Sequence, residues 1–359
     1  MAPRHGISLR IIFFIVSLEA QCTSDFILYM SMRLTPKILI ALTATALSVG
    51  CRQDYSYVRN FPEKGEITYT VTPYNAAEMY PLSIQHIHEG YWVCQLLESE
   101  HCFALLDEDL NEIVRFGKKG RGPEEFTDPN FVGSAGSTGD SLFLLIRDWT
   151  KGCLYRTAVN IHDGRTHSSI IRGYSAGMRA IYPLGRGRYL CNGDANRYFL
   201  DDNGAFTYLE GWGENVNEAI ESSATYIPDN QTLELFSKDS SRVLVYSISY
   251  PILYLHATDD GSLLNKTYVE MRPEDLPKDG YCPLYFAGGG YIGDHIALLL
   301  CDDSKMVSRI LIFDRDLKPA ASYDVPFVNT LEIDTSTGKA LSLDYENELT
   351  YIFDLSQWL

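Results

Sequence analysis

The chain has no run of about 20 apolar residues, the length a membrane-spanning helix requires. Its longest mainly apolar stretch, Ile38 to Val49, is 12 residues and includes two threonines, so no spanning helix is expected. Bases are also scarce, with 30 Lys+Arg against 47 Asp+Glu and a formal net charge of −17. Affinity for phosphate backbones comes from Lys and Arg, so nucleic acid is excluded as an expected partner. Several reaction motifs are missing. There is no C-x-x-C or H-E-x-x-H, no Gly-Lys-Ser/Thr phosphate loop and no G-x-S-x-G elbow, so neither a paired metal motif nor elbow-type hydrolase chemistry is supported. What is present is ordinary globular composition, 45% hydrophobic and 21% charged, with 24 Tyr and 16 Phe that favour β structure. At 359 residues roughly 75% of the unfolded surface can be buried, which closes a large core without disulfides or a metal.

The first 50 residues read as a processing segment. Met32-Arg33-Leu34-Thr35-Pro36-Lys37 is a basic start, Ile38 to Val49 an apolar core, and Gly50-Cys51 ends it, the order of a secretory signal. A cysteine at that place resembles the lipobox of bacterial lipoproteins, which implies cleavage before Cys51 and acylation of it. Residues 1–31 then precede a complete signal and are expected to come from a misassigned start. Removing residues 1–50 deletes four bases and two acids and leaves −19. So acidic a chain is not drawn to anionic headgroups, and the acyl groups on Cys51 would hold it on the membrane. Residues 51–63 lack apolar periodicity and are expected to form a lipidated tether ahead of a domain spanning 64–359.

From Leu82 onward, short β-like runs alternate with Asp, Asn, Gly and Ser clusters. A polar hairpin turn recurs as Asp107-Glu108-Asp109, His162-Asp163-Gly164, Asp201-Asp202-Asn203-Gly204, Asp259-Asp260-Gly261 and Asp314-Arg315-Asp316. Asp and Asn accept the turn's own backbone donors, and Gly supplies positive φ. The five turns mark four-stranded units at 82–117, 130–171, 178–212, 222–270 and 281–325. A sixth unit, from Val328, has three strands before the chain stops. The alternating segment Glu66–Thr72 ahead of the first unit supplies the missing strand. The spacing, about 46 residues per unit, predicts an all-β fold: a six-bladed β-propeller with four-stranded blades, closed by an N-terminal strand joining the last blade.

Phe116-Gly117-Lys118-Lys119-Gly120-Arg121-Gly122-Pro123-Glu124-Glu125-Phe126 resembles the G-x-G-P-x-E-F segment that follows the first blade in the TolB-like six-bladed β-propeller lipoproteins of Bacteroidetes. The resemblance covers the mature chain and implies a cell-envelope, outer-membrane lipoprotein facing the periplasm or the cell surface. It implies a fold and a place more than a reaction.

Candidate site residues follow. Loop 117–126 offers Lys118, Lys119 and Arg121 to an anionic group, although Gly-Pro punctuation favours a connector held by a pair between Arg121 and Glu124 or Glu125. Phe126 is placed to plug between blades. Trp149 and Trp212 fall in loops, where an aromatic ring can serve a ligand, whereas most other aromatics are expected in the core. His86 and His88, two apart on an inner strand, face one side. With a third ligand they would hold a metal in the central channel, the alternative reading as a lactonase- or lyase-type propeller enzyme. Cys94, Cys102, Cys153, Cys191, Cys282 and Cys301 show no metal spacing and are expected to act chiefly as small buried hydrophobes. The leading expectation is a scaffold without catalysis or cofactor that binds a small molecule, a glycan or an envelope protein.

Overall fold

The computed structural model describes residues 55–74, 79–87, 90–97, 99–171, 178–185, 188–193, 197–201, 205–208, 232–237, 239–258, 262–277, 281–344 and 346–359. Three short strands come first: β1 (Ser56–Val58), β2 (Glu63–Gly65) and β3 (Tyr69–Pro73). The first sheet is β4 (Met79–Ile87), β5 (Tyr91–Leu96), β6 (His101–Leu106) and β7 (Glu112–Lys118). The second is β8 (Pro129–Thr138), β9 (Ser141–Asp148), β10 (Cys153–Asn160) and β11 (Thr166–Ile170). The third is β12 (Met178–Gly185), β13 (Arg188–Gly193), β14 (Arg197–Asp201) and β15 (Phe206–Tyr208). Then come β16 (Thr232–Phe236), β17 (Arg242–Ser247), β18 (Ile252–Ala257) and β19 (Leu263–Val269). The fifth is β20 (Leu284–Ile292), β21 (His295–Asp302), β22 (Val307–Asp314) and β23 (Pro319–Val325). The last run is β24 (Glu332–Ile333), β25 (Lys339–Asp344) and β26 (Leu349–Asp354).

Consecutive strands in each sheet pair antiparallel, giving four-stranded sheets in chain order, as in a β-propeller. The pairing sends alternate strands in opposite directions. Each sheet therefore has a connector end, with the turn between its second and third strands and the link to the next sheet. The other two turns lie at its hairpin end. The last sheet takes its fourth strand from the amino-terminal side, β3 running antiparallel along β26 with Val71 opposite Tyr351. That strand begins at Tyr69, three residues later than the alternation places it.

The residues expected in a tether behave differently from Tyr55 onward. β1 lies parallel along β19 and β2 parallel along β23, each as a fifth strand. Val58 and Phe61 are buried, and Phe61 meets Phe313 edge-on at 5.4 Å. Three-residue strands have no period to read, so the sequence shows a linker where the fold has an edge.

Side chains alternate along the strands, so each sheet buries both faces against its neighbours. Leu244, Leu253 and Leu255 of the fourth sheet pack with Leu298, Leu300 and Leu311 of the fifth. Ile310, Ala321 and Tyr323 of the fifth pack with Ile333, Ala340 and Phe353 of the last. At ~25 cal/mol per Å² of apolar surface such seams dominate the stability. Neighbouring inner strands also approach one another: β4 to β8, β8 to β12, β16 to β20, β20 to β24 and β24 to β4. Gly288 makes one approach possible. With φ +149°, a Cβ there would lie 2.6 Å from the Leu331 backbone.

Candidate binding corner

The most individual local structure is the link from the first to the second sheet. Near the end of β7 the chain turns at Gly117 (φ +71°), where a side chain would press on Phe103 at 3.1 Å. It then doubles back, with Phe126 N–H donating to Lys118 O and Gly120 N–H to Phe126 O, both at 2.9 Å. Phe126 is fully buried between the two sheets, edge-on to Phe103 and Tyr155. Glu125 folds inward and accepts from Gly122 N–H at 2.8 Å, and its carboxylate reaches Lys118 at 4.0 Å. The pair expected between Arg121 and Glu124 or Glu125 is absent, because Glu125 serves the loop backbone. Glu124 instead lies 3.6 Å from His167.

A second segment braces this loop. Asp148 ends β9 fully buried and accepts from the backbone N–H groups of Thr127 (2.8 Å), Asp128 (3.4 Å) and Lys151 (3.0 Å). The Lys151 ammonium donates to Gly122 O at 2.9 Å and to Glu125 O. Trp149 N–H donates to Asp128 O. Trp149 is 46% exposed, and the guanidinium of buried Arg147 lies over its ring, 3.5 Å from the centroid, a cation–π arrangement.

The structure thus gathers four of the residues singled out in the sequence, Lys118, Lys119, Arg121 and Trp149, at the connector ends of adjoining sheets. They do not share one role. Lys119 donates to Leu97 O at 2.5 Å and is a staple of the loop. Lys118 and Arg121 are exposed, and Arg121 has no side-chain partner among the described residues. Asp148, Arg147 and Lys151 were not singled out. Their signal was an apolar run ending in Asp, which recurs at Asp302 and Asp344, each accepting donors of its own turn. Cys51, His88 and Trp212 lie outside the described residues.

His86 has a different setting. Its Nε2 lies 3.0 Å from Asp334 Oδ1, across the approach of β4 to the last sheet, and its ring meets Trp92 edge-on at 5.2 Å. Burial works to raise the Asp334 carboxyl, but the adjacent His86 ring and hydrogen bonds from Ser336 and Thr337 hold it well below the ordinary range. Among the described residues no three His, Cys, Asp or Glu side chains gather as a metal site needs. Glu332 of β24 is half-buried, and burial pushes its carboxyl up to about 8. None of the six cysteines from Cys94 on forms a disulfide, and five of them are buried. Burial pushes the Cys94 and Cys102 thiols up to about 12, so neither supplies a thiolate near neutral pH.

No family model matches the chain, and no curated protein matches it either. Solved structures do. A member of the DUF4221 family from Bacteroides vulgatus superposes with a TM-score of 0.54 at 10% identity, over 81% of this chain and 96% of that one. A candidate exported protein from Bacteroides fragilis gives 0.48 at 11% identity, covering 83% and 99%. The Swd1 β-propeller domain of Myceliophteria thermophila gives 0.45 at 10% identity, covering 80% and 99%. At such identity the likeness concerns the fold alone. Among the described residues no helix is long and apolar enough to cross a membrane.

Proposed function

We propose that the chain is a lipid-anchored envelope protein of the TolB-like kind. Its sheets would form one closed six-bladed ring, held at a membrane through acylated Cys51, that binds a ligand or partner without transforming it. The ring reading is supported by six sheets in chain order, by the approach of β24 to β4 and by β3 completing the last sheet.

The observation that carries the binding reading is Trp149. A half-exposed indole held against a buried guanidinium is a rigid aromatic anchor, the kind of residue that dominates recognition energies. Arg121 and Lys118 place positive charge near it on an acidic molecule, so the surface suits a partner with a ring or apolar face and a negative group. The test is capture from detergent-solubilised membranes by the full chain and by Trp149→Ala/Arg121→Ala. The expected result is a partner retained by the native chain and lost from the variant. Equal capture by both, or metal-dependent turnover of lactone, ester or glycan substrates by the purified protein, would overturn this reading.

A further inference from the structure

At the hairpin end of the fifth sheet, where the chain crosses from β1 to β2, lies a recess of about 520 Å³. Ser56, Arg59, Asn60, Asn265, Asp316 and Lys318 are among its walls. Its charge is opposite to that of the molecule. Asp316, the acid in its lining, is engaged by Arg242 at 2.5 Å. The hydrogen bond from Arg242, outweighing burial and aided by the charges of Arg242, Lys318 and Arg315, holds that carboxyl below its usual range. Asn265 fixes the turn by donating to Asp316 O at 2.8 Å. Asp314 is used by its own turn, accepting from Asp316 N–H and Lys318 N–H, and Asp239 by Ser237 and Ser241. The two remaining cations, Arg59 and Lys318, are exposed, and among the described residues neither side chain has an ion-pair or hydrogen-bond partner.

We infer that this recess binds a phosphate group, with the Arg59 fork and the Lys318 ammonium as its charged contacts and the Asn60 amide as a neutral donor. Arg supplies paired N–H donors suited to a tetrahedral oxyanion and Lys a point charge. A chain with a formal net charge of −17 repels anions at long range, so two unpaired cations in one recess are a local exception that a bound anion would resolve. The phosphate can belong to a free phosphate compound or to a lipid headgroup. The second source rests on the anchor reading above: Ser56 in the recess wall follows Cys51 by five residues of chain.

The test uses the full chain with Cys51→Ser, so that acylation plays no part, alone and combined with Arg59→Ala/Lys318→Ala. Binding of inorganic phosphate is followed by calorimetry, and co-sedimentation is followed with phosphatidylcholine vesicles with and without phosphatidylglycerol. The expected result is binding to at least one probe that weakens at least tenfold in the double variant, falls with added salt and is retained by Arg59→Lys/Lys318→Arg. Preference for the phosphatidylglycerol vesicles assigns the headgroup, and binding of phosphate alone assigns a free compound. No binding to either probe, or equal binding by the double alanine variant, overturns the inference. Mass spectrometry of the native protein showing an unmodified Cys51 would remove the anchor reading and leave the phosphate result standing.

Discussion

A small number of buried or capping polar side chains shape the turns of this molecule. Asp107 accepts from Asp109 N–H and Asn111 N–H, and Asp314 from Asp316 N–H and Lys318 N–H. In both turns the fourth residue, Leu110 or Leu317, takes a left-handed conformation at φ +66° and +64°. These turns are legible in sequence because an Asx turn involves neighbours along the chain. Lys151 is not, because the carbonyl groups it holds lie 29 and 26 residues earlier. Asp148 is the more demanding residue. Asp148→Ala would leave three backbone donors without their buried acceptor and is expected to cost about 3 kcal/mol. Denaturant unfolding checks the cost, and hydrogen exchange should show the loss of protection concentrated in 119–128. Unchanged exchange there would contradict the bracing role assigned to it. Trp149 was recognisable as a loop aromatic, whereas the Arg147 over its ring was not, since its partner is set by side-chain packing rather than by spacing.

At the scale of the strand, β24 concentrates two opposed titrations beside the approach to the first sheet. Glu332 titrates at about 8 in the fold, against an ordinary 4.5. Between those values the folded chain holds a proton that the unfolded chain has released, so stability falls as pH rises through this window. Asp334 is the reverse, with a folded value depressed below 3.8; its contribution is present above that pH and is lost as pH falls below it. Glu332→Gln is therefore expected to flatten the decline in unfolding midpoint between pH 5 and 8. Parallel profiles for the native chain and the variant would contradict the assignment. Gly288→Ala would force β20 away from Leu331 and is expected to lower the thermal midpoint by several degrees, as a cost of roughly 2 kcal/mol would. No shift in the midpoint would mean that the inner strands tolerate separation. The strands themselves were largely readable from apolar alternation. β1 and β2 were not, because three residues pairing with strands about 210 and 260 positions away carry no local mark.

For the whole molecule, the proposed closure of the ring decides the rest. The first and last sheets meet through Ile84, Trp92 and Leu106 packed with Leu341 and Leu343, through His86 and Asp334 at 3.0 Å, and through Lys339 reaching Asp109 at 3.8 Å. His86→Ala removes this contact while Asp334 keeps its donors from Ser336 and Thr337, and is expected to destabilise by about 1 kcal/mol, measured by denaturant unfolding near neutral pH. The same seam gives His86 a neighbour that its sequence setting does not show. An inner-strand histidine is equally consistent with a metal ligand and with a contact to a residue 248 positions later, and only the arrangement of sheets separates them. The repeat of hairpin turns made the four-stranded sheets legible, and the need to pair the last sheet made an amino-terminal strand its natural donor. The central claim is that one ring is closed by β3 pairing with β26. Val71 and Tyr351 are directly opposed in that ladder, with their Cβ atoms expected about 5 Å apart, close to disulfide reach. Oxidation of the Val71→Cys/Tyr351→Cys chain is predicted to give a disulfide within one monomer, with faster migration on a non-reducing gel and a raised thermal midpoint. Two thiols that stay reduced, or a bond that joins two chains, would contradict closure.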